Sequence, residues 1–375
     1  MVIQAVKWLA RQLNRRNPGI CRDVREWTEQ KDGKVLPSLA SRRSISRPLP
    51  RTVEEEIAPE FAAEAEFEAY ERFVATIRRP TIVGEQGFVV LPDGQFALEY
   101  ITHHEPFIRE SPVYCQRFRK TAGRKRYWPG KYFSVLGTFC TSYYHWMHDV
   151  LTQFHGVLDY LPADTRIIVP ENLTSLQQAT LRALGIPDSR LALRHPGDDV
   201  MVELLYFIPP PAITRFDVPE TAQWLRNKLL TGLRLEPSSA KTRRLLLSRG
   251  RAACRRITNE KELSSELIPM GFEQIYCEDL TLEEQAALFH GAEIIVAPHG
   301  AGLTNLIFCN PGTRVLEIFP ASHLWERTHY WSLAGALGLD YAYCCGTPVS
   351  NGVMEPDILV SMDKLRASLQ LLEVS

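Results

Sequence analysis

From Tyr132 onward the chain alternates short apolar runs with longer stretches of helical period. Residues 132–136 read as a strand, 143–160 as a helix and 166–169 as a short buried strand; a helix at 174–184 and strands at 190–193 and 201–208 follow. Strands alternating with helices predict a parallel sheet covered on both faces. Pro209-Pro210-Pro211 breaks this order, and the helical stretch 219–233 with Glu236-Pro237-Ser238-Ser239 after it predicts a bridge between domains. The alternation then restarts: strand 245–247, helix 259–268, strand 272–276, helix 281–290, strand 293–297, a helix starting over 302–308, a turn at Asn310-Pro311-Gly312 and strand 315–319. Thr281 with Glu284 three residues on is a capping-box start. This second half has a doubly wound, nucleotide-binding pattern, in which the ligand sits outside the carboxyl ends of the strands.

Upstream the pattern is weaker. Residues 17–59 mix Pro, Ser, Arg and Glu without a sustained apolar period, which predicts an irregular arm without a core. Residues 60–77 read as helical, and 88–91 with 96–100 around Pro92-Asp93-Gly94 as a hairpin. Val2, Ile3, Val6, Leu9, Ala10 and Leu13, with Lys7, Arg11, Arg15 and Arg16 among and after them, form a basic amphipathic helix over 1–16 suited to an anionic membrane or to docking on its own domain. The expected organisation is an N-terminal arm to residue 79, an α/β domain over 80–218, an interdomain helix and linker over 219–243, and a nucleotide-binding, Rossmann-like domain over 244–375. Two doubly wound halves facing a cleft make the GT-B architecture.

Length and charge agree with this. A chain of 375 residues exceeds one ordinary core. With 43 Lys and Arg against 44 Asp and Glu it lacks the basic excess of a dedicated nucleic-acid binder. Its 8 cysteines form no CxxC pair, which predicts reduced thiols rather than a disulfide frame or a zinc site. Without a bilayer-spanning run or a signal peptide, the expected location is cytoplasmic, with peripheral contact at the inner face of a membrane through residues 1–16.

Candidate chemistry gathers at strand ends. Ala297-Pro298-His299-Gly300-Ala301-Gly302-Leu303-Thr304-Asn305 lies where a buried strand ends and a helix begins; glycines there admit close backbone approach, and free N–H groups make an anion site fit for a pyrophosphate. Glu317, a carboxylate inside an apolar strand, is costly to bury alone; it is placed either to accept ribose hydroxyls or to pair with an arginine. Arg249, at the end of another strand, and Arg256 are the guanidinium groups singled out for phosphate oxygens, since a cation there stabilises a departing diphosphate without a metal. Upstream, His145 and Asp149 lie four apart on one helical face, where either can take a proton from an attacking hydroxyl. A different chemistry, a metal-dependent hydrolase built on His145, His148, Asp149 and His299, would need ligands from two domains and lacks an HExxH or Asp-rich loop. A third reading is a non-catalytic glycan- or nucleotide-binding protein of the same fold.

These residues resemble glycosyltransferase family 61. The likeness runs from Leu245-Leu246-Leu247-Ser248-Arg249 through Arg256-Ile257-Thr258-Asn259-Glu260, Gly271-Phe272-Glu273, Glu284-Gln285, His299-Gly300-Ala301-Gly302-Leu303-Thr304-Asn305 and Asn310-Pro311-Gly312 to Val315-Leu316-Glu317-Ile318. His145-Trp146-Met147-His148-Asp149 is similar to an upstream element of the family. The resemblance implies a GT-B fold, an inverting reaction, no bound metal or other cofactor, a nucleotide-sugar donor held by the second domain, and a glycan or lipid-linked glycan as acceptor. With no signal anchor, it points to bacterial surface polysaccharide synthesis.

Overall fold

A computed structural model describes residues 19–374 apart from 32, 37, 85, 98–123, 138, 213–215, 236–241, 322–327 and 353–354. The helix expected at 1–16 lies outside the described residues. The chain divides into two compact units: the first takes the described residues of Met1–Arg42, Tyr70–Leu173 and Pro187–Ile213, the second those of Arg43–Ala69, Thr174–Ile186 and Thr214–Ser375. Among the described residues, no helix is long and apolar enough to cross a membrane.

The first unit is built on a nine-stranded sheet. β1 (Arg124–Ser134), β2 (Arg166–Pro170), β3 (Leu191–Arg194) and β4 (Asp198–Phe207) are parallel neighbours in the order β4-β1-β2-β3. β2 forms because Ile167, Ile168 and Val169 are buried on both faces. Beyond β4 the sheet turns antiparallel through Ala75–Arg78, Thr81–Val83, Phe88–Val90 and Phe96–Ala97, which includes the expected hairpin around Pro92-Asp93-Gly94. This sheet is therefore mixed rather than doubly wound. The helix read over 60–77 is replaced by a short helix, Pro59–Ala63, and the strands Glu66–Ala69 and Ala75–Arg78. Burial alternates along both strands, so period-two patterning prevailed over the helical reading. The stretch 19–42 is likewise not structureless. A helix, Val24–Gln30, is capped by the Asp23 carboxylate accepting from Glu26 N at 2.7 Å, and Val24 is buried in the core beside Phe73 and Ile77.

The helix expected over 143–160 stops at Phe154. It runs as an α-turn (Tyr143–His145), a π-turn (Trp146–Val150) and a 3₁₀-turn (Leu151–Phe154). Trp146, Met147, Val150, Leu151 and Phe154 are all buried, and the Thr152 hydroxyl donates to the His148 carbonyl, competing with the regular ladder.

The second unit begins with α1 (Ser175–Ala183), which opens on a Thr174–Gln177 capping box, and α2 (Pro219–Gly232). The stretch expected to bridge domains belongs to this unit, where Leu225 and Leu229 of α2 are fully buried. There follow β5 (Arg243–Leu247), α3 (Glu260–Leu267), β6 (Phe272–Ile275), α4 (Leu282–His290), β7 (Ala292–Pro298), β8 (Arg314–Pro320), α5 (Thr328–Leu337), β9 (Asp340–Val349), β10 (Asp357–Leu359) and α6 (Met362–Leu371). Parallel pairing gives the order β6-β5-β7-β8-β9, with β10 antiparallel at the end. Leu246, Ile294, Val296, Leu316 and Ile318 make one buried cluster with Leu263, Leu267, Leu365 and Leu369 of the covering helices. Each such side chain contributes roughly 1.5–3 kcal/mol on burial. The strand order reverses between β5 and β7, the position at which doubly wound sheets open a crevice at their carboxyl ends.

Residues 43–59, expected to be irregular, join 60–69 in completing this second unit. Arg43–Ser46 pairs with Glu66–Ala69, and Arg51–Thr52 adds a parallel strand to β9. Phe61 is fully buried, its ring 5.1 Å from Trp331 and 4.9 Å from Tyr343. Alternation over four residues and a two-residue strand are too short to announce themselves in the sequence.

Candidate functional site

The predicted residues of the second unit collect at the reversal between β5 and β7. β5 delivers Ser248 and Arg249 past its carboxyl end, and β7 delivers His299 and Gly300. Gly300 is extended, with φ 165° and ψ 171°, a conformation open to any residue. A Cβ there would collide with Arg249 Nη1 and lie 2.8 Å from Arg249 Cζ, so any side chain at 300 would have to displace that guanidinium. The Arg249 guanidinium therefore lies against the Gly300 backbone, while its Nη2 donates to the Cys254 carbonyl at 3.2 Å. Burial pulls Arg249 below the ordinary arginine range, and the neighbouring Arg255 charge pulls it the same way. Two like charges held near each other beside the start of a 3₁₀ segment (Ala301–Phe308) form an anion-attracting corner.

Arg255 was not singled out in the sequence. It has a left-handed backbone, φ 58°, and its Nε contacts Glu355 at 2.8 Å. Arg256, the expected partner of Arg249, is committed elsewhere. Its Nε and Nη2 lie 3.0 and 2.7 Å from Asp357 Oδ2, and its backbone N donates to Oδ1 at 2.9 Å. Residue 256 bonds to β10 through the Ile358 N–H, so the register against β10 carries that side chain to Asp357. Burial works to raise Asp357, but the Arg256 bonds outweigh it and hold the carboxyl below its ordinary range.

Within 297–305 the structure separates two groups. His299, Gly300, Ala301 and Gly302 form the turn, whereas Thr304 and Asn305 are fully buried. Asn305 Nδ2 donates to Gln285 Oε1 at 2.6 Å and to the Gly302 carbonyl at 3.2 Å, bracing the turn from behind. Close by, Cys277 Sγ stands 3.4 Å from where a Gly302 Cβ would be, and burial pushes that thiol up to about 11. The seven described cysteines are all free.

Glu317 has no exposed surface, and both its oxygens are engaged: His299 Nδ1 lies 2.5 Å from Oε1, and the Tyr341 hydroxyl donates to Oε2 at 2.5 Å. Direct acceptance of ribose hydroxyls is thus not open to Glu317, and the arginine expected as its alternative partner is a histidine instead. The carboxylate fixes His299, whose ring stacks on Phe319 at 5.1 Å and lies 5.4 Å from Tyr330. Burial drives the Tyr330 hydroxyl well above the ordinary tyrosine range.

In the first unit, His145 Nδ1 lies 2.6 Å from Asp149 Oδ2, with 22% and 25% of the two side chains exposed. His145 ends the α-turn, and Asp149 sits in the π-turn, a distortion found often at functional sites. Tyr144 stacks on His148 at 4.6 Å, and His148 is buried. The pair is braced from below, because Gln153 Nε2 donates to the Asp149 carbonyl at 2.8 Å. A histidine held at Nδ1 by a carboxylate leaves Nε2 for proton transfer. Among the described residues, no group of three or more His, Cys, Asp or Glu is arranged to hold a metal ion.

Residues 143–316 match the family model described as Glycosyltransferase 61. The chain is 32% identical over 98 residues to the beta-1,2-xylosyltransferase XAX1 of Oryza sativa subsp. japonica, covering 26% of this chain and 17% of that protein. It is 32% identical over 95 residues to the xylan glycosyltransferase MUCI21 of Arabidopsis thaliana, covering 24% and 19%. A second rice protein, the beta-1,2-xylosyltransferase RCN11, is 34% identical over 62 residues, covering 16% and 11%. The matched stretch thus spans less than a fifth of each of these relatives. All three are plant proteins, and they lend no support to the bacterial surface-polysaccharide setting.

Proposed function

We propose that this chain is a member of glycosyltransferase family 61, and that it transfers a sugar from a nucleotide-sugar donor to a glycan hydroxyl by a single inverting displacement. The observation that carries the proposal is the Arg249 guanidinium laid on the Gly300 backbone with the Arg255 charge close by, at the strand-order reversal of a parallel sheet. In this reading those two cations and the amides of Gly300 to Gly302 hold the diphosphate. As the acceptor oxygen bonds to the anomeric carbon, the bond from that carbon to the diphosphate oxygen breaks. The proton goes to the His145–Asp149 pair, and the charge that develops on the leaving oxygen is met by preorganised donors. His299, fixed by Glu317, completes the donor side. The names of the relatives make a nucleotide-activated pentose the first donor to try.

A thermal-shift screen of nucleoside diphosphates against monophosphates tests this. A ligand at a hundred times its Kd stabilises the native state by about 2.7 kcal/mol. The expected outcome is a rise in Tm with one diphosphate, reduced for its monophosphate and abolished in Arg249→Ala and Arg255→Ala. Absence of stabilisation by every diphosphate, or a rise that survives both substitutions, rejects the donor assignment.

A further inference from the structure

Phe139 lies in the loop between β1 and the helical turns that carry His145, and two observations set it apart. Its backbone is left-handed, with φ 60°, a region that bulky side chains occupy only under strain. Its side chain is also 66% exposed, the highest value among the large hydrophobic residues that stand out at the described surface. An aromatic ring held in a costly conformation and turned toward water gains little from folding itself. Such outliers cluster where an interaction with a ligand compensates them. The neighbourhood supplies the direction: the Phe139 ring lies 5.3 Å from the His145 ring at 34°, and Tyr144 meets that same imidazole edge-on at 5.2 Å. The turn is anchored, since Ser142 N donates to the Phe139 carbonyl at 2.8 Å and Cys140 beneath it is buried.

We infer that Phe139 is a stacking platform for a sugar ring of the acceptor glycan and holds an acceptor hydroxyl at the His145–Asp149 pair. A pyranose has an apolar face of C–H bonds and an edge of hydroxyls. The phenyl ring offers a partner for the face, and the imidazole beside it offers one for the edge. A lipid tail would find the ring but no use for the histidine and carboxylate next to it. Phe139 touches no reacting atom in this account, so it is a positioning and specificity residue. The inference rests on the reading of the first unit as the acceptor side.

The test uses the full chain as wild type, Phe139→Gly and Phe139→Trp, each titrated calorimetrically with xylohexaose, cellohexaose, maltohexaose and, separately, uridine diphosphate. Glycine tolerates the left-handed backbone, so that variant should fold with an unchanged or higher Tm. At least one hexasaccharide is expected to bind the wild type and to lose tenfold or more in affinity in Phe139→Gly. Phe139→Trp should recover to within threefold, and uridine diphosphate affinity should stay within twofold throughout. Under turnover with that saccharide, the acceptor KM should rise tenfold in the glycine variant while kcat stays within threefold. Binding of no hexasaccharide by the wild type, equal binding by the glycine variant, or failure of tryptophan to restore it overturns the inference. Loss of nucleotide binding in all three proteins alike would instead count against the donor assignment, because it leaves the saccharide comparison to stand or fall alone.

Discussion

His145 with Asp149 and His299 with Glu317 make nearly the same contact, 2.6 Å and 2.5 Å, in unlike surroundings. The first pair is about a quarter exposed on both sides, and it is formed locally, four residues apart, across an α-turn and a π-turn. The second has 8% and 0% of its side chains exposed and bridges two strands of a parallel sheet, with Tyr341 taking the remaining carboxylate oxygen. A pair that meets solvent can exchange a proton with a substrate. A pair with this little exposure holds a ring in place. Distance alone therefore does not assign a role; access does.

The contrast can be broken most sharply at Glu317. Replacing it with alanine leaves two buried polar groups without their partner, and we expect a loss of about 3–5 kcal/mol in unfolding free energy, read from urea titration. Asp149→Asn should cost no more than about 0.5 kcal/mol in the same titration. Equal losses at the two positions would erase the distinction drawn here. The order reverses in turnover: His145→Gln and Asp149→Asn should each lower kcat by roughly 10²–10⁴-fold, the usual range for a general base. A smaller effect follows from Asp357, whose folded carboxyl lies below its ordinary value. Stability from its bond with Arg256 is present above the unfolded value, near pH 3.9, and is lost as pH falls through the depressed folded one. Arg256→Ala should therefore flatten acid unfolding below pH 4. Smallest of all, Arg256→Ala should leave nucleoside-diphosphate affinity within twofold, whereas the same change at Arg249 should abolish the thermal shift.

Legibility in the sequence followed locality. The strands between 166 and 320 and the helices opened by Thr174 and Thr281 were readable because their signals lie within one window of residues, and so was the His145–Asp149 spacing. Long-range register was not. Ala297 pairs with Glu317 across β7 and β8, which sets Glu317 near His299 instead of leaving it to meet a ribose. The run Arg255-Arg256 offers two neighbouring cations with nothing to choose between them. A left-handed backbone at the first and the β10 register of the second set the two apart. The first half misled for a related reason: residues 60–77 hold two short strands whose partners, β4 for one and Arg43–Ser46 for the other, are distant in the chain.

The strand Arg51–Thr52 bears on how the protein can be made and divided. The Thr52 hydroxyl donates to the Tyr343 carbonyl across 291 positions of sequence, so the first piece of the second unit leaves the ribosome long before the sheet that receives it. Until then Phe61 has neither Trp331 nor Tyr343 to cover it, and the early segment waits exposed while the intervening unit is synthesised. Removal of residues 43–69 from the full chain should accordingly give an insoluble protein.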